Sequence, residues 1–383
     1  MFAKPFLLKP RTVKDAGNRK TVLDEPYTLI PDGGALLLKE FPARVKVGDS
    51  LFKQSSGTIL SPVNGVASLA HGESGTRIRI VQDGIFPIKN ELHPKIWKKE
   101  EAIEAMDRLG LVSLDFPDLP LSDSFRDRVK PRFIILSPYT RSQDIDFTSR
   151  LQTNPECHKS FVDSLKLWFP ETEIRDYILE KKAPLRNYAY PWGIPEYFTL
   201  KTEKIPFSRF RDVIYLGPET LYYLYRAMFG GMPFIEREIS IFFLGKNGGL
   251  RKAGTPLRVQ NGQNLKFLFE EYEHSYSQFT LNSFFESYPV RNTKEGFYWD
   301  IRLYSSLILL ARHDAFRSEF PCVECGECSL NCPTKSNPMA LMGTLGQFQP
   351  GLCMECGICT FLCPSFISLR DRIRSVKEES VGI

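Results

Sequence analysis

The chain has no long apolar run. Its most apolar stretch, around residues 307–311, is far shorter than the ~18–20 residues a membrane-spanning helix needs, so no segment is expected to cross a bilayer. Residues 1–11 hold scattered charges and two prolines but no apolar core, which argues against a secretory signal peptide. Charge of one sign is also scarce. The net charge is +5, and no Lys/Arg-rich run alternates with aromatics, so the footprint of a nucleic-acid binder is missing. No repeat of solenoid period occurs, and no Ser/His/Asp or paired-carboxylate set stands out, which leaves hydrolase chemistry without support. Histidine is sparse: His71, His93, His274 and His313 stand alone and read as structural. Cys157-His158 has no third candidate ligand nearby and reads as a buried thiol beside a surface histidine.

What remains is ordinary for a soluble globular protein, with 42% apolar and 25% charged residues. A length of 383 residues allows two to four domains. Residues 1–95 read as a compact β domain of short strands, with alternating runs at 43–49 and 77–81. The turn pair Asn64-Gly65 suits a tight hairpin. Residues 96–235 alternate helices (98–109, 161–168, 219–229) with buried strands (132–136, 213–216), the pattern of an α/β layer. Gly230-Gly231 should stop the last of these helices. Residues 236–275 read as a small α+β module with a strand at 238–244, a Gly-rich turn at 245–249, a short run at 256–259 and a helix at 264–272. Residues 276–320 are aromatic-rich, less legible, and read as a connecting segment. Aromatics around 284–299 suit a quinone as well as a core.

Cysteine is concentrated where other residues are not. Of nine cysteines, eight fall between residues 322 and 363. A disulfide framework would spread them over a small exported domain, so a reducing cytoplasm and metal ligation fit better. The first motif is Cys322, Cys325, Cys328, Cys332-Pro333 and the second is Cys353, Cys356, Cys359, Cys363-Pro364. Both match C-x2-C-x2-C-x3-C-P, the ligand run of [4Fe–4S] ferredoxins. Three thiolates at this spacing wrap three corners of a cubane. Gly326 and Gly357 allow the tight backbone turn, and the fourth cysteine points away. In two-cluster ferredoxins that fourth cysteine serves the other cluster. Cys322, Cys325, Cys328 and Cys363 are therefore assigned to cluster 1, and Cys353, Cys356, Cys359 and Cys332 to cluster 2. The alternative is two structural zinc sites. The stretch 334–352 reads as loop then helix (339–345). With no alternating strand there, residues 321–383 read as a helical dicluster domain closed by a helix at 369–376. Arg370, Arg372, Arg374 and Lys377 on that helix mark either a solvated face or a dock for an acidic partner.

These residues bring a family with them. The domain order resembles the C subunit of the Rnf electron-transport complex and the related A subunit of the sodium-translocating NADH:quinone oxidoreductase. Val45-Lys46-Val47-Gly48-Asp49 and Ser61-Pro62-Val63-Asn64-Gly65 resemble the lipoyl-like barrel-sandwich motif that opens both. Glu91-Leu92-His93-Pro94 and 132–140 are similar to the start of the nucleotide-fold region, and Tyr190-Pro191-Trp192-Gly193-Ile194-Pro195 to an H-P-A-G-L-P segment of the A subunit. Residues 212–216 and 231–239 follow that subunit too, and 238–272 resemble the β-grasp, soluble-ligand-binding module of both. The close, Cys359-Thr360-Phe361-Leu362-Cys363-Pro364, is similar to C-T-F-V-C-P, while the complete double motif is the Rnf-like feature. The resemblance implies a multidomain α+β chain with a barrel-sandwich, a Rossmann-like α/β domain, a β-grasp module and a dicluster tail.

The chain also departs from the family. Where Rnf C subunits carry the loop G-G-A-G-F-P-T, this chain has Gly110-Leu111-Val112-Ser113-Leu114-Asp115-Phe116-Pro117. An acidic N-G-A-E-C-E-P motif is replaced by Ser137-Pro138-Tyr139-Thr140-Arg141-Ser142. Without the glycines the backbone cannot approach a phosphate closely, which argues against NADH or FMN on this chain. The expectation is an iron–sulfur electron-transfer subunit of an ion-translocating NADH:quinone or NADH:ferredoxin oxidoreductase. It would lie on the cytoplasmic face of the cell membrane, held by membrane and flavin subunits, with ferredoxin as another candidate partner. The competing readings are an assembly scaffold whose clusters are structural and an independent flavin-bearing dehydrogenase.

Overall fold

A computed structural model of the chain describes residues 11–12, 26–72, 75–83, 91–116, 119–126, 130–140, 145–179, 190–245, 250–272, 276, 278–282, 285, 288–290, 296–311, 318–343 and 346–381. The fold is mixed α+β with several separate sheets. After a short strand β1 (Arg11–Thr12), the chain runs through β2 (Tyr27–Leu29), β3 (Leu36–Leu37), β4 (Ala43–Val45), β5 (Ser50–Gln54), β6 (Gly57–Leu60), β7 (Gly65–Gly72) and β8 (Gly75–Gln82). These sort into two antiparallel sheets, β2-β8-β7-β4 and β3-β5-β6. Leu29, Val45, Phe52, Ile59, Ile78 and Ile80, drawn from both sheets, share one core. Among the described residues the two sheets do not close into a barrel.

The Asn64-Gly65 pair does not turn a hairpin. Gly65 opens β7, where an added Cβ would overlap the Val81 carbonyl oxygen of the neighbouring strand. Asn64 accepts the Val47 amide on Oδ1 at 2.6 Å. Here the glycine is demanded by close approach, not by a positive φ.

The next region contains α1 (Lys99–Arg108), α2 (Asp123–Arg126), β9 (Phe133–Leu136), α3 (Phe147–Gln152), α4 (Pro155–Trp168), β10 (Glu173–Asp176), α5 (Pro195–Glu203), β11 (Val213–Leu216) and α6 (Pro218–Gly230). Its strands form a parallel sheet in the order β10-β9-β11. That explains the continuous apolar runs: Ile134 and Leu136 face a helical core with Met106, Phe161 and Leu221. Ile135 faces a second cluster with Tyr139, Phe198 and Tyr215. Gly231 caps α6 in the left-handed region, φ 65°.

Beyond it come β12 (Glu236–Leu244), β13 (Leu250–Lys252), β14 (Leu257–Gln260), α7 (Lys266–Tyr272), β15 (Gln278–Leu281), β16 (Tyr288–Val290) and β17 (Ser306–Leu310). The long strand β12 pairs antiparallel with β13 and β14 and parallel with β17. The stretch 276–320, read from sequence as a connecting segment, thus supplies β15, β16 and β17 to the same sheet. Its apolar run is the buried strand beside β12. A buried ion pair joins this sheet to the α/β region: Arg237 of β12 meets Glu219 of α6 through two parallel contacts of 2.8 and 2.9 Å.

The tail contains α8 (Glu327–Leu330), α9 (Ile358–Phe361) and α10 (Leu369–Val381), with no strand among its described residues. The helix expected over 339–345 is a 3-10 turn, Pro338–Met342, ended by Gly343 at φ 77°. The closing helix runs longer than its apolar pattern indicated, to Val381.

Candidate metal centre

The two cysteine motifs fold alike. Gly326 and Gly357 both take φ 76° and start the short helices α8 and α9. Glu324 and Glu355, two residues earlier, sit at φ 53° and 54°. Each turns its amide onto the first sulfur of its motif: Glu324 N–H donates to Cys322 Sγ and Glu355 N–H to Cys353 Sγ, both at 3.4 Å. The match extends outward. Ser329 Oγ accepts the Met339 amide at 3.1 Å, and Thr360 Oγ1, at the equivalent position, accepts the Arg370 amide at 2.8 Å. Two stretches of different sequence therefore adopt one backbone path around their sulfurs.

Cys332 leaves its own motif. It lines a cavity together with Cys353, Cys356 and Cys359, with about 330 Å³ of atom-free space, part of it open to solvent. Cys328 and Cys359 share a small core with Ile367, Leu369 and Ile373, and Cys322 and Cys363 pack against it. Cys325 is exposed.

Burial raises the Cys328 thiol, pushes Cys359 up to about 12, and raises Cys356 strongly. Burial also raises Cys353, against the pull of the Glu355 amide and of Lys377. At Cys332 burial pushes up too, but donors from Ser336 and Thr334 outweigh it and the thiol is lowered. Ser336 contributes its hydroxyl and its amide, both at 3.3 Å. Five buried or half-buried sulfurs crowded together carry this penalty as bare thiolates, and a cationic metal reverses it.

The donor set fits an iron–sulfur cluster. Four soft thiolates line one cavity, and Arg370, which also lines it, has a buried Nε with no hydrogen-bond partner. An N–H without an acceptor beside anionic sulfur is the kind of donor that tunes such clusters. Among the described residues no group of three or more His, Cys, Asp or Glu side chains is placed to hold a metal ion.

Residues outside the motifs complete the second one. The Tyr190 hydroxyl donates to the Cys356 carbonyl at 2.5 Å. The Tyr190 ring stacks on Phe285 at 4.3 Å, and Phe285 meets Phe361 of α9 at 4.9 Å. A Cβ on Gly357 would overlap the Phe285 carbonyl oxygen. Lys377 donates to the Cys353 carbonyl at 2.6 Å. Of the basic side chains on α10, Lys377 and Arg374 pair with Glu355, and Arg372 with Glu319. These pairs brace the tail internally, with Arg372 exposed and Arg374 and Lys377 half-buried. Tyr190 belongs to the segment 190–195, Phe285 to the aromatic stretch 284–299 and Arg370 to the basic face of α10, and nothing local ties Tyr190 or Phe285 to the cysteines.

No family model matches the chain, and no curated protein matches it.

Elsewhere the candidates separate. His158 is buried, 1% exposed, not on the surface. Its Nε2 lies 2.6 Å from Asp176 Oδ2 and its Nδ1 2.9 Å from the Tyr225 hydroxyl. Cys157 beside it is buried, and burial raises its thiol. Trp299 belongs to the main core, and Phe285 stacks on Tyr190 at the second motif. His71 and His93 are exposed. His274, His313 and residues 246–249 of the Gly-rich turn lie outside the described residues, as do Phe284, Pro117, Arg141 and Ser142. Asp115 fills the N-terminus of α6: Oδ2 accepts the Gly217 amide at 2.8 Å and the Thr220 hydroxyl at 2.7 Å. Among the described residues no helix is long and apolar enough to cross a membrane.

Proposed function

We propose that the chain is an electron-transfer subunit of an ion-translocating NADH:quinone or NADH:ferredoxin oxidoreductase, built to hold two [4Fe–4S] clusters. The observation that carries this reading is the shared cavity of Cys332, Cys353, Cys356 and Cys359, three residues from one motif and one from the other. It supports the crossed assignment, with Cys322, Cys325, Cys328 and Cys363 as the second set. When bound, the clusters would supply one-electron redox chemistry.

The protein's own residues do the rest. Cys328 and Cys359 sit in a small apolar core, with Cys322, Cys353 and Cys363 packed against it, which limits water at those sulfurs. Arg370 brings positive charge to the buried set, which would favour its reduced form. Tyr190 and Phe285 fix the second motif against the α/β region and the large sheet. Within this reading the N-terminal sheets are a barrel-sandwich, the parallel sheet is a nucleotide-type fold and β12–β17 are an enlarged β-grasp module. Asp115 supports the expectation that NADH and FMN bind elsewhere. Its carboxylate already holds the amide of a helix N-terminus, where a phosphate would otherwise settle. Partner subunits would hold the chain at the membrane.

Anaerobic purification with iron, zinc and flavin analysis and EPR tests the reading. About eight irons per chain and two interacting clusters after dithionite reduction are expected, because crossed ligation would bring two four-iron sites side by side. Zinc without iron, or stoichiometric FMN, would refute it.

A further inference from the structure

The two motifs share a backbone but not their surroundings. The outer face of the second is covered in part by the chain itself, with Phe361 still 45% exposed. Cys356 is buried and its carbonyl is held by Tyr190. Phe285 lies against Phe361 and against the bare backbone of Gly357. The same face of the first motif is open. Cys325, the counterpart of Cys356, is exposed. Leu330, the counterpart of Phe361, is 70% exposed. A Cβ on Gly326 would meet only the Leu330 side chain, at 3.8 Å. Around Cys325 the surface is apolar, with Val323 65% and Phe320 57% exposed, and Phe366 is exposed next to Phe320, ring to ring at 6.5 Å.

Exposed apolar side chains gathered around one metal-ligand loop mark a docking surface, not scatter. Its rim is acidic. Glu324 and Glu327 are exposed, and Glu327 holds Asn331 at 2.8 Å. Glu319 is exposed and paired with Arg372. Lys335 is the nearby counter-charge, and its ammonium sits 3.1 Å from the Leu330 carbonyl oxygen.

We infer that the open face of the first motif, Phe320, Val323, Cys325, Leu330 and Phe366 with Glu324 and Glu327 at its rim, docks a one-electron redox protein that is apolar at the centre of its face and basic around it. The inference rests on the electron-carrying reading above. The second motif is its template: an aromatic pair covers part of that face in cis, and the more open equivalent face of the first would be covered in trans. The tail then has a fixed polarity, with an external partner at one motif and the chain's own α/β region at the other.

The test uses the anaerobically purified full chain with ferric cytochrome c as the probe, a redox protein with lysines around an exposed haem edge. Iron is counted on the same sample. Hydrogen exchange by mass spectrometry should show protection confined to peptides covering 318–331 and 364–367. The double variant Glu324→Lys/Glu327→Lys should lower affinity at low salt by about tenfold or more, and that loss should shrink as salt screens the rim. The double variant Glu100→Lys/Glu104→Lys, on the exposed face of α1, should bind like the parent. If the chain holds about eight irons but protection falls elsewhere, is absent, or both variants lose affinity equally, the surface is overturned and the electron-carrying reading stands. A chain without iron overturns both.

Discussion

Gly326→Ala and Gly357→Ala form a matched pair that separates backbone strain from packing. Both glycines sit at φ 76°, so any L-residue there meets a left-handed penalty of about 1–2 kcal/mol. At Gly326 the nearest atom to a new methyl is a flexible Leu330 carbon at 3.8 Å, and nothing further is lost. At Gly357 the methyl would lie 2.8 Å from the Phe285 carbonyl carbon and nearer still to its oxygen. Backbone must move, and Phe285 carries the Tyr190 stack with it. Losing the stack costs about 0.5–1.5 kcal/mol. Losing the Tyr190 bond to the Cys356 carbonyl costs about 0.5–1.5 kcal/mol. The second variant should therefore be less stable than the first by about 1–3 kcal/mol, or about 5- to 150-fold in local opening. Hydrogen exchange at residues 353–363 against 322–332 reads this directly, without requiring a two-state transition of a multidomain chain. Equal effects in the two variants would refute the argument that Phe285 holds the second motif.

Tyr190→Phe keeps the stack and removes only the hydroxyl, so it should shift one midpoint potential in an EPR redox titration and leave the other in place. Arg237→Ala strands the buried Glu219 carboxylate and should cost about 3–5 kcal/mol in chemical unfolding; Arg237→Lys should recover little, because the contact has two prongs. Cys332→Ser should reduce iron at the second motif's cavity although the residue belongs to the first motif, whereas loss of signal only from the other cluster would contradict the crossed set. For pH, burial raises the Asp176 carboxyl but the His158 contact outweighs it, so it lies below its ordinary 3.8. Its stabilising effect is complete above that value and disappears as pH falls through the depressed one. Asp176→Asn should accordingly flatten the acid limb of a stability curve below about pH 4, and an unchanged limb would refute the role.

Much of the architecture is legible in sequence because local rules and tertiary context agree. The all-apolar runs of β9 and β11 announce strands covered on both faces, and Gly231 ends α6 where a left-handed residue is needed. The large sheet is only half legible. Its strand β17 pairs with β12 across more than sixty intervening residues, and no local period records such a partner. The helix expected over 339–345 shortens to a 3-10 turn because Pro338 and Gly343 bracket it. Asn64-Gly65 misleads because the same dipeptide answers to close approach as well as to φ. At the site, spacing named the eight cysteines. Phe285 and Tyr190 approach from distant segments, and their contribution exists only once the chain is folded.

The position of Cys332 has a consequence for how the tail can come apart. In a repeat protein each unit keeps its own walls, and stability is roughly a sum over units and their contacts. Here one copy has lent a corner to the other. A cut anywhere between residues 333 and 352 would leave two halves of nearly equal design, and the shared cavity would be complete in neither. The two motifs are therefore tied to each other through the walls of that one cavity.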